Sequence, residues 1–342
     1  MTQAPTQTAA ANRPPMLTMA EALGALMAGV RPLTATETVD TRDAHGRVLA
    51  APVTSTLRVP PADNTSMDGY VMRAADVPAP GTRLPVSQRI PAGHVGTALA
   101  AGTAARIFTG GLIPPGADAV VMQEQCVADG DAVIVNHVPA SGEWIRRAGE
   151  DIETGAEILP AGTRLTPQAL GLAASVGQAK LDVVRRVRVA VFFTGDELAM
   201  PGEPLKPGAI YNSNRFTLRG LLENLGCEVS DFGIVPDTLA ATRDTLRRAA
   251  EGCDLIITSG GVSVGEEDHI RPAVQAEGRL DLWQIAIKPG KPLAFGQVAN
   301  GSDSPAHFLG LPGNPVSSFV TFLLFVRPFI PVSYTHLRAH ET

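Results

Sequence analysis

In the second half of the chain, small residues and ionisable side chains repeatedly follow short apolar runs. After "VRVAVFF" come Thr194, Gly195, Asp196 and Glu197, and after "CEVSDFGIV" comes Asp237. The run "CDLIITSGG" ends in Ser259, Gly260 and Gly261, and Ser263, Gly265 and the acids Glu266, Glu267 and Asp268 follow. "IAI" leads into "KPGKP", with Lys288 and Lys291, and "HFLGL" leads into "PGNP", with Gly313 and Asn314. Glycines let a phosphate reach backbone N–H groups, and lysines neutralise it as compact point charges. Carboxylates at the same place repel phosphate unless a hard divalent cation lies between. The set points to a polyanionic ligand together with a divalent cation. The pattern GxxxxGK[ST] does not occur, so this is not a Walker-type loop. Other uses of the same residues stay open. Asp237 is equally placed to cap a following helix, and two of the acids at 266–268 to sit in a first helical turn.

The first half has its own constellation. "DNTSMDGYVM" (63–72) packs Asn, Thr, Ser, Asp and Tyr around a glycine, and "FTGG" (108–111) adds a hydroxyl. "IRRAGEDI" (145–152) adds Arg146 and Arg147 beside Glu150 and Asp151. These charges serve either a site or a surface cluster of ion pairs.

The elements that must position these groups differ between the halves. Residues 1–15 hold few large apolar groups and read as a disordered leader. From Met16 to Val30, apolar residues at Leu17, Ala20, Leu23, Met27 and Val30 share one face of a helix. Over residues 47–180, Val/Ile-rich runs such as "ARIFTGG", "DAVVMQE" and "AVIVNHV" are broken by Pro-Gly punctuation, the pattern of a β-rich domain. From Arg186 onward, short apolar strands alternate with amphipathic helices. "RFTLRGLLENLG" ends at Gly226, read as its C-cap, and a last helix runs from Asn314 to about Phe329. Alternation of this kind means βαβ units and a doubly wound, mostly parallel sheet, whose ligands bind beyond the carboxyl ends of the strands. All five groups of small or polar residues then fall on one rim.

Composition bounds the partners. The net charge of −6 over 342 residues argues against a nucleic-acid surface. No apolar run is read as reaching membrane-spanning length, and the N-terminus does not resemble a signal peptide. Cys126, Cys227 and Cys253 are widely spaced with no CxxC pair, so reduced thiols are expected, and the whole fits a cytoplasmic protein. The tail "VSYTHLRAHET" (332–342) has no period, resembles translated adaptor sequence, and is expected to be non-native.

"DNTSMDGY", "TGG…PPGADAVVMQE", "IRRAGEDI", "TGDEL", "IYNSN", "SGGVSVGEEDH", "IKPGKP" and "LGLPGNPVS" occur in this order. Over roughly residues 16–330 the series resembles the molybdopterin molybdenumtransferase (MoeA) family, which the E domain of gephyrin also represents. Molybdopterin adenylyltransferases share the "SGGVSVG"-type sheet domain and lack the "SMDGY" half. The resemblance implies a multidomain α/β protein: a linking domain over 16–54 and 152–185, a β-rich domain over 55–151, and a MogA-like molybdopterin-binding α/β domain over 186–331. A C-terminal β-barrel-like domain of the family is expected to be missing. It implies that molybdenum passes from molybdate to adenylylated molybdopterin with release of AMP, assisted by Mg²⁺. Asp68, Thr109, Asp151, Glu197, Asp237 and Asp268 match catalytic positions. Arg146, Ser259, Gly260, Gly261, Ser263, Gly265, Lys288, Lys291, Pro312, Gly313, Asn314 and Pro315 would hold substrate. Asp196, Glu197, Asp237 and Asp268 would hold the metal or shape the molybdate pocket. Attack by water needs positioning, so no nucleophilic side chain is expected. A homodimer with sites shared between subunits is implied, and a molybdopterin adenylyltransferase is a candidate partner. The competing expectations are a non-catalytic molybdopterin-binding or scaffold module, a fragment made inactive by the missing domain, and a nucleotide-processing hydrolase on the same sheet.

Overall fold

The computed structural model describes residues 16–261, 269–289, 291–302 and 304–334. Ser263, Gly265 and the acids Glu266, Glu267 and Asp268 lie outside the described residues, as do the leader and the tail beyond Tyr334. The longer strands are β1 (Gly69–Met72), β2 (Thr82–Ile90), β3 (Ala104–Ile107), β4 (Ala119–Met122), β5 (Cys126–Asp129), β6 (Ala132–Val135), β7 (Arg188–Thr194), β8 (Glu228–Val235), β9 (Leu255–Ser259), β10 (Gly278–Gln284), β11 (Pro292–Val298) and β12 (Ala306–Leu311). The α-helices are α1 (Met19–Ala28), α2 (Pro167–Ser175), α3 (Ser213–Asn224), α4 (Leu239–Gly252), α5 (Ile270–Glu277), α6 (Pro315–Thr321) and α7 (Arg327–Val332).

The chain forms two compact units, one of Thr38–His45 and Leu49–Leu181, the other of Met1–Glu37, Gly46–Val48 and Asp182–Thr342. The segments read as a linking domain are thus divided between them.

In the first of these units, six strands form one sheet in the order β4-β1-β3-β2-β6-β5. Successive side chains of a strand point to opposite faces. Val71 and Val120 accordingly pack with Ile90 and Ile107 on one side, and Met72 and Val121 with Leu84 and Val133 on the other. Gly69 sits where β1 meets β4, and a Cβ there would lie 2.0 Å from the Val121 carbonyl oxygen. Only glycine permits that approach, which explains the Asp-Gly of "SMDGY".

The other unit carries a six-stranded sheet in the order β8-β7-β9-β12-β11-β10. β8, β7, β9 and β12 are mutually parallel, while β11 runs antiparallel to both β12 and β10. The near-continuous apolar runs are buried on both faces, as parallel strands require. Val189, Val191 and Phe193 face α3 through Leu218 and Leu222, whereas Ala190 and Phe192 face α4 and α5 through Leu246, Ala249 and Val274. The chain leaves β7 toward β8 on one side and returns to β9 on the other, so the strand order reverses at β7.

Several boundaries differ from expectation for local reasons. α1 begins at Met19, because Thr18 and Glu21 form a reciprocal capping box. Leu225 is the C-cap of α3, and Gly226 is the next residue, with φ +83°. Asp237 does not cap α4; Thr238 does, its side chain accepting from the Ala241 N–H. Residues 315–332 form a nearly continuous helix with a π-helical turn at Phe322–Val326. With mean hydropathy 1.6 over 18 residues, that helix does reach spanning length. It places Phe322, Phe325, Phe329 and Ile330 in the core, the mark of a buried core helix. Within the tail, the Tyr334 hydroxyl accepts from the Val187 N–H at 3.0 Å. Cys126, Cys227 and Cys253 form no disulfide.

Candidate functional site

Ser259, at the carboxyl end of β9, donates through Oγ to the Pro312 carbonyl beyond β12 at 2.9 Å. Asn214, in the first turn of α3, donates through Nδ2 to Ser259 Oγ and to the Gly313 carbonyl, each at 2.8 Å. The Gly260 N–H donates to Leu311 O at 3.0 Å, and a Cβ on Gly313 would lie 3.5 Å from the Gly260 Cα. The two glycine loops therefore touch backbone to backbone. Asn214 is buried, so its amide hydrogen bonds specify one arrangement of these loops. It stands in "IYNSN", and its signal was a polar residue at the start of an apolar-striped helix. Asn314 directs Oδ1 to the Ser317 N–H as N-cap of α6, directly before Pro315 at the first helical position.

At the end of β7, Gly195 has φ +140° and lies under the Glu197 carboxylate: a Cβ there would meet Glu197 Oε2 at 2.5 Å. Glu197 and Asp196 are exposed. Freed from capping, half-buried Asp237 beyond β8 has no hydrogen-bond or ion-pair partner among the described residues. Lys288 and Lys291 are exposed, and follow β10 at the same end of the sheet, because β10 runs parallel to β12. The exits of β7, β8, β9, β10 and β12 thus lie at the carboxyl edge of the sheet, whose strand order reverses at β7, and ligands of such sheets bind beyond that edge. Among the described residues no three His, Cys, Asp or Glu side chains cluster closely enough to hold a metal. Asp196, Glu197 and Asp237 are hard oxygen donors of the kind Mg²⁺ takes.

The other unit gathers its three motifs around residues 63–68. Asp68 Oδ1 accepts from both the N–H and the hydroxyl of Thr109, each at 2.7 Å. These bonds, with the Arg106 charge, hold the Asp68 carboxyl below its usual range. Asn64 and Thr65 pair with Arg146 and Ile145, and the Ser66 N–H donates to Trp144 O at 3.1 Å. Arg146 Nη2 donates to both oxygens of Asp151 at 2.6 Å, which raises its pKa further. Arg147 Nη1 donates to Asp63 Oδ2 at 2.6 Å, and the Ala148 N–H to Asp63 Oδ1 at 2.8 Å. The ion-pair cluster exists, and it ties "IRRAGEDI" to the loop that carries Asp68. Arg106, which no motif singled out, donates to the Gly69 carbonyl and to Gln123 Oε1.

Comparison with known proteins finds relatives of both halves of the chain. Residues 17–177 match the family described as MoeA N-terminal region (domain I and II), and residues 190–332 the probable molybdopterin binding domain. The molybdopterin molybdenumtransferase of Haemophilus influenzae is 42% identical over 316 residues, covering 92% of this chain and 77% of that protein. The one from Nostoc sp. is 41% identical over 302 residues, covering 86% of this chain and 69% of that protein. The crystal structure of the molybdopterin biosynthesis moeA protein from Pyrococcus horikoshii superimposes with a TM-score of 0.81 at 31% identity, covering 95% of this chain and 80% of that one. By two matched domains and by relatives aligned over most of its length, the chain belongs to the molybdopterin molybdenumtransferase family.

Proposed function

We propose that the chain transfers molybdenum from molybdate to adenylylated molybdopterin in molybdenum cofactor biosynthesis. As the two dithiolene sulfurs bind molybdenum, one molybdate oxygen leaves as water with the two thiol protons. A second water cleaves the phosphoanhydride, and AMP departs. The observation that carries this reading is the Asn214 lock, which holds two glycine backbones in contact at the rim where Lys288 and Lys291 also lie. Backbone without side chains admits phosphate closely, and the lysines supply positive charge. Glu197, Asp237 and Asp196 are the groups read as holding Mg²⁺ or bordering the molybdate, with Asp268 as a further donor. A bound divalent cation would neutralise phosphate and molybdate oxygens at that rim. Asp68, Thr109, Arg146 and Asp151 form the second set of polar groups assigned to the reaction.

The reading extends to a homodimer with sites shared between subunits. Exposed Phe216 on α3 and Val316 and Phe319 on α6 offer apolar surface for association. A molybdopterin adenylyltransferase would supply the substrate, and three cysteines outside any disulfide suit a reducing, cytoplasmic setting. The test supplies purified chain with adenylylated molybdopterin and Mg²⁺, with and without molybdate, and measures AMP by chromatography. Molybdate-dependent AMP release is expected; no release with all three present would refute the proposal.

A further inference from the structure

Arg106 on β3 holds the chain at Asp68 in two ways, directly at the next residue, Gly69, and through Gln123 at the Asp68 carbonyl. Its Nη1 donates to the Gly69 carbonyl oxygen at 2.8 Å, and its Nη2 to Gln123 Oε1 at 2.6 Å. The Gln123 N–H in turn donates to the Asp68 carbonyl oxygen at 3.0 Å. The guanidinium is itself held between two rings, 5.2 Å from the Tyr70 centroid and 4.6 Å from that of Phe108. Tyr70 lies two residues after Asp68, and Phe108 directly precedes Thr109. The two Thr109 hydrogen bonds both end on Asp68 Oδ1, so Oδ2 keeps no partner among the described residues.

We propose that Arg106 is a positioning residue for Asp68: its two-headed donation fixes the backbone around residue 68 and so aims the open carboxylate oxygen. A planar fork can hold two acceptors in one geometry, and an ammonium cannot. The charged group acting on the carboxylate is Arg106 itself, beside the stronger Thr109 hydrogen bonds. This inference rests on the reading of Asp68 as part of the transferase site.

The experiment compares wild type, Arg106→Gln, Arg106→Lys, Arg89→Gln and Asp68→Asn for AMP release, and follows the Asp68 carboxylate by carbon-13 NMR titration. Arg89 stacks on the same Phe108 ring at 4.7 Å and serves as control. Arg106→Gln is expected to lower kcat about tenfold or more with KM changed less than about threefold. Its carboxylate titrates at higher pH than in wild type. Arg106→Lys recovers the titration and not the rate, and Arg89→Gln stays within about twofold of wild type. In the double variant with Asp68→Asn, the Arg106→Gln loss disappears, because both act through one group. Where Arg106→Gln melts below the assay temperature, Gln123→Ala removes the second acceptor alone and should lower kcat about threefold. Full recovery by lysine, an equal loss in Arg89→Gln, or multiplying losses in the double variant would overturn the proposal. If wild type releases no AMP, the transferase reading fails separately. The high-pH carbon-13 shift of the Asp68 carboxylate then decides for Arg106: it is expected to change in both Arg106→Gln and Arg106→Lys, because neither holds both acceptors, and wild-type shifts in both would overturn the proposal.

Discussion

Asn214 Nδ2 lies 2.8 Å from both Ser259 Oγ and the Gly313 carbonyl oxygen, so one buried amide joins the loops after β9 and β12. Asn214→Ala leaves the buried Ser259 Oγ and the part-buried Gly313 carbonyl without that donor. A cost of about 1–3 kcal/mol is expected in denaturant unfolding. AMP release should fall about tenfold or more, because the rim loops lose their register. Unchanged activity in a destabilised variant would show that the lock serves the fold alone.

Asp237 and Thr238 are neighbours with separable roles. Thr238→Ala removes the α4 cap and should lower stability by about 1 kcal/mol with little change in turnover. Asp237→Ala should leave stability within about 0.5 kcal/mol and lower AMP release at least about tenfold. Thermal melts and initial rates on the two variants check both halves.

Gly195 holds φ +140° directly beneath Glu197. Gly195→Ala adds a Cβ 2.5 Å from Glu197 Oε2 and backbone strain of about 1–3 kcal/mol. It should lower the melting temperature and displace the carboxylate. Glu197→Ala, by contrast, should abolish AMP release with the melt preserved.

His307 sets a pH dependence far from the rim chemistry. It is buried between Phe295 and Phe329, at ring-centroid distances of 6.1 and 5.2 Å, and burial pushes its pKa down from 6.5 to about 4. Above pH 6.5 neither folded nor unfolded chain is protonated there, so the group adds nothing to the slope. As pH falls below 6.5 the unfolded chain binds the proton first, and stability declines until about pH 4, where the folded chain follows. The loss approaches about 3 kcal/mol over that window. His307→Gln should flatten this part of the curve in urea titrations; an unaltered slope would remove His307 as its cause.

The strands and the rim were legible because each group of small or polar residues directly follows an apolar run, and a parallel sheet sends all such exits to one edge. The reversed β11 carried a weaker signal, since its apolar run looks like any buried strand. What decides its direction is the short link from Gln284 to Pro292, too brief for a parallel crossover. Thr238 took the capping role because a threonine one residue later competes equally well for it. Asn214 and Arg106 escaped for a different reason: Asn214 acts across 45 and 99 residues, and Arg106 reaches Gly69 across 37. No local spacing encodes those contacts. Where a motif residue makes its bonds nearby, as Arg146 does with Asp151 five residues on, the structure shows the ion pair, and the role in the site is the proposal made above.

The most direct measurement is the ratio of molybdenum bound to pterin dithiolene to AMP released, in a single turnover with adenylylated molybdopterin, molybdate and Mg²⁺. The transferase account predicts one molybdenum incorporated per AMP, with both lost together in Glu197→Ala. AMP release without molybdenum on the pterin would contradict it and mark the chain as a nucleotide-cleaving hydrolase.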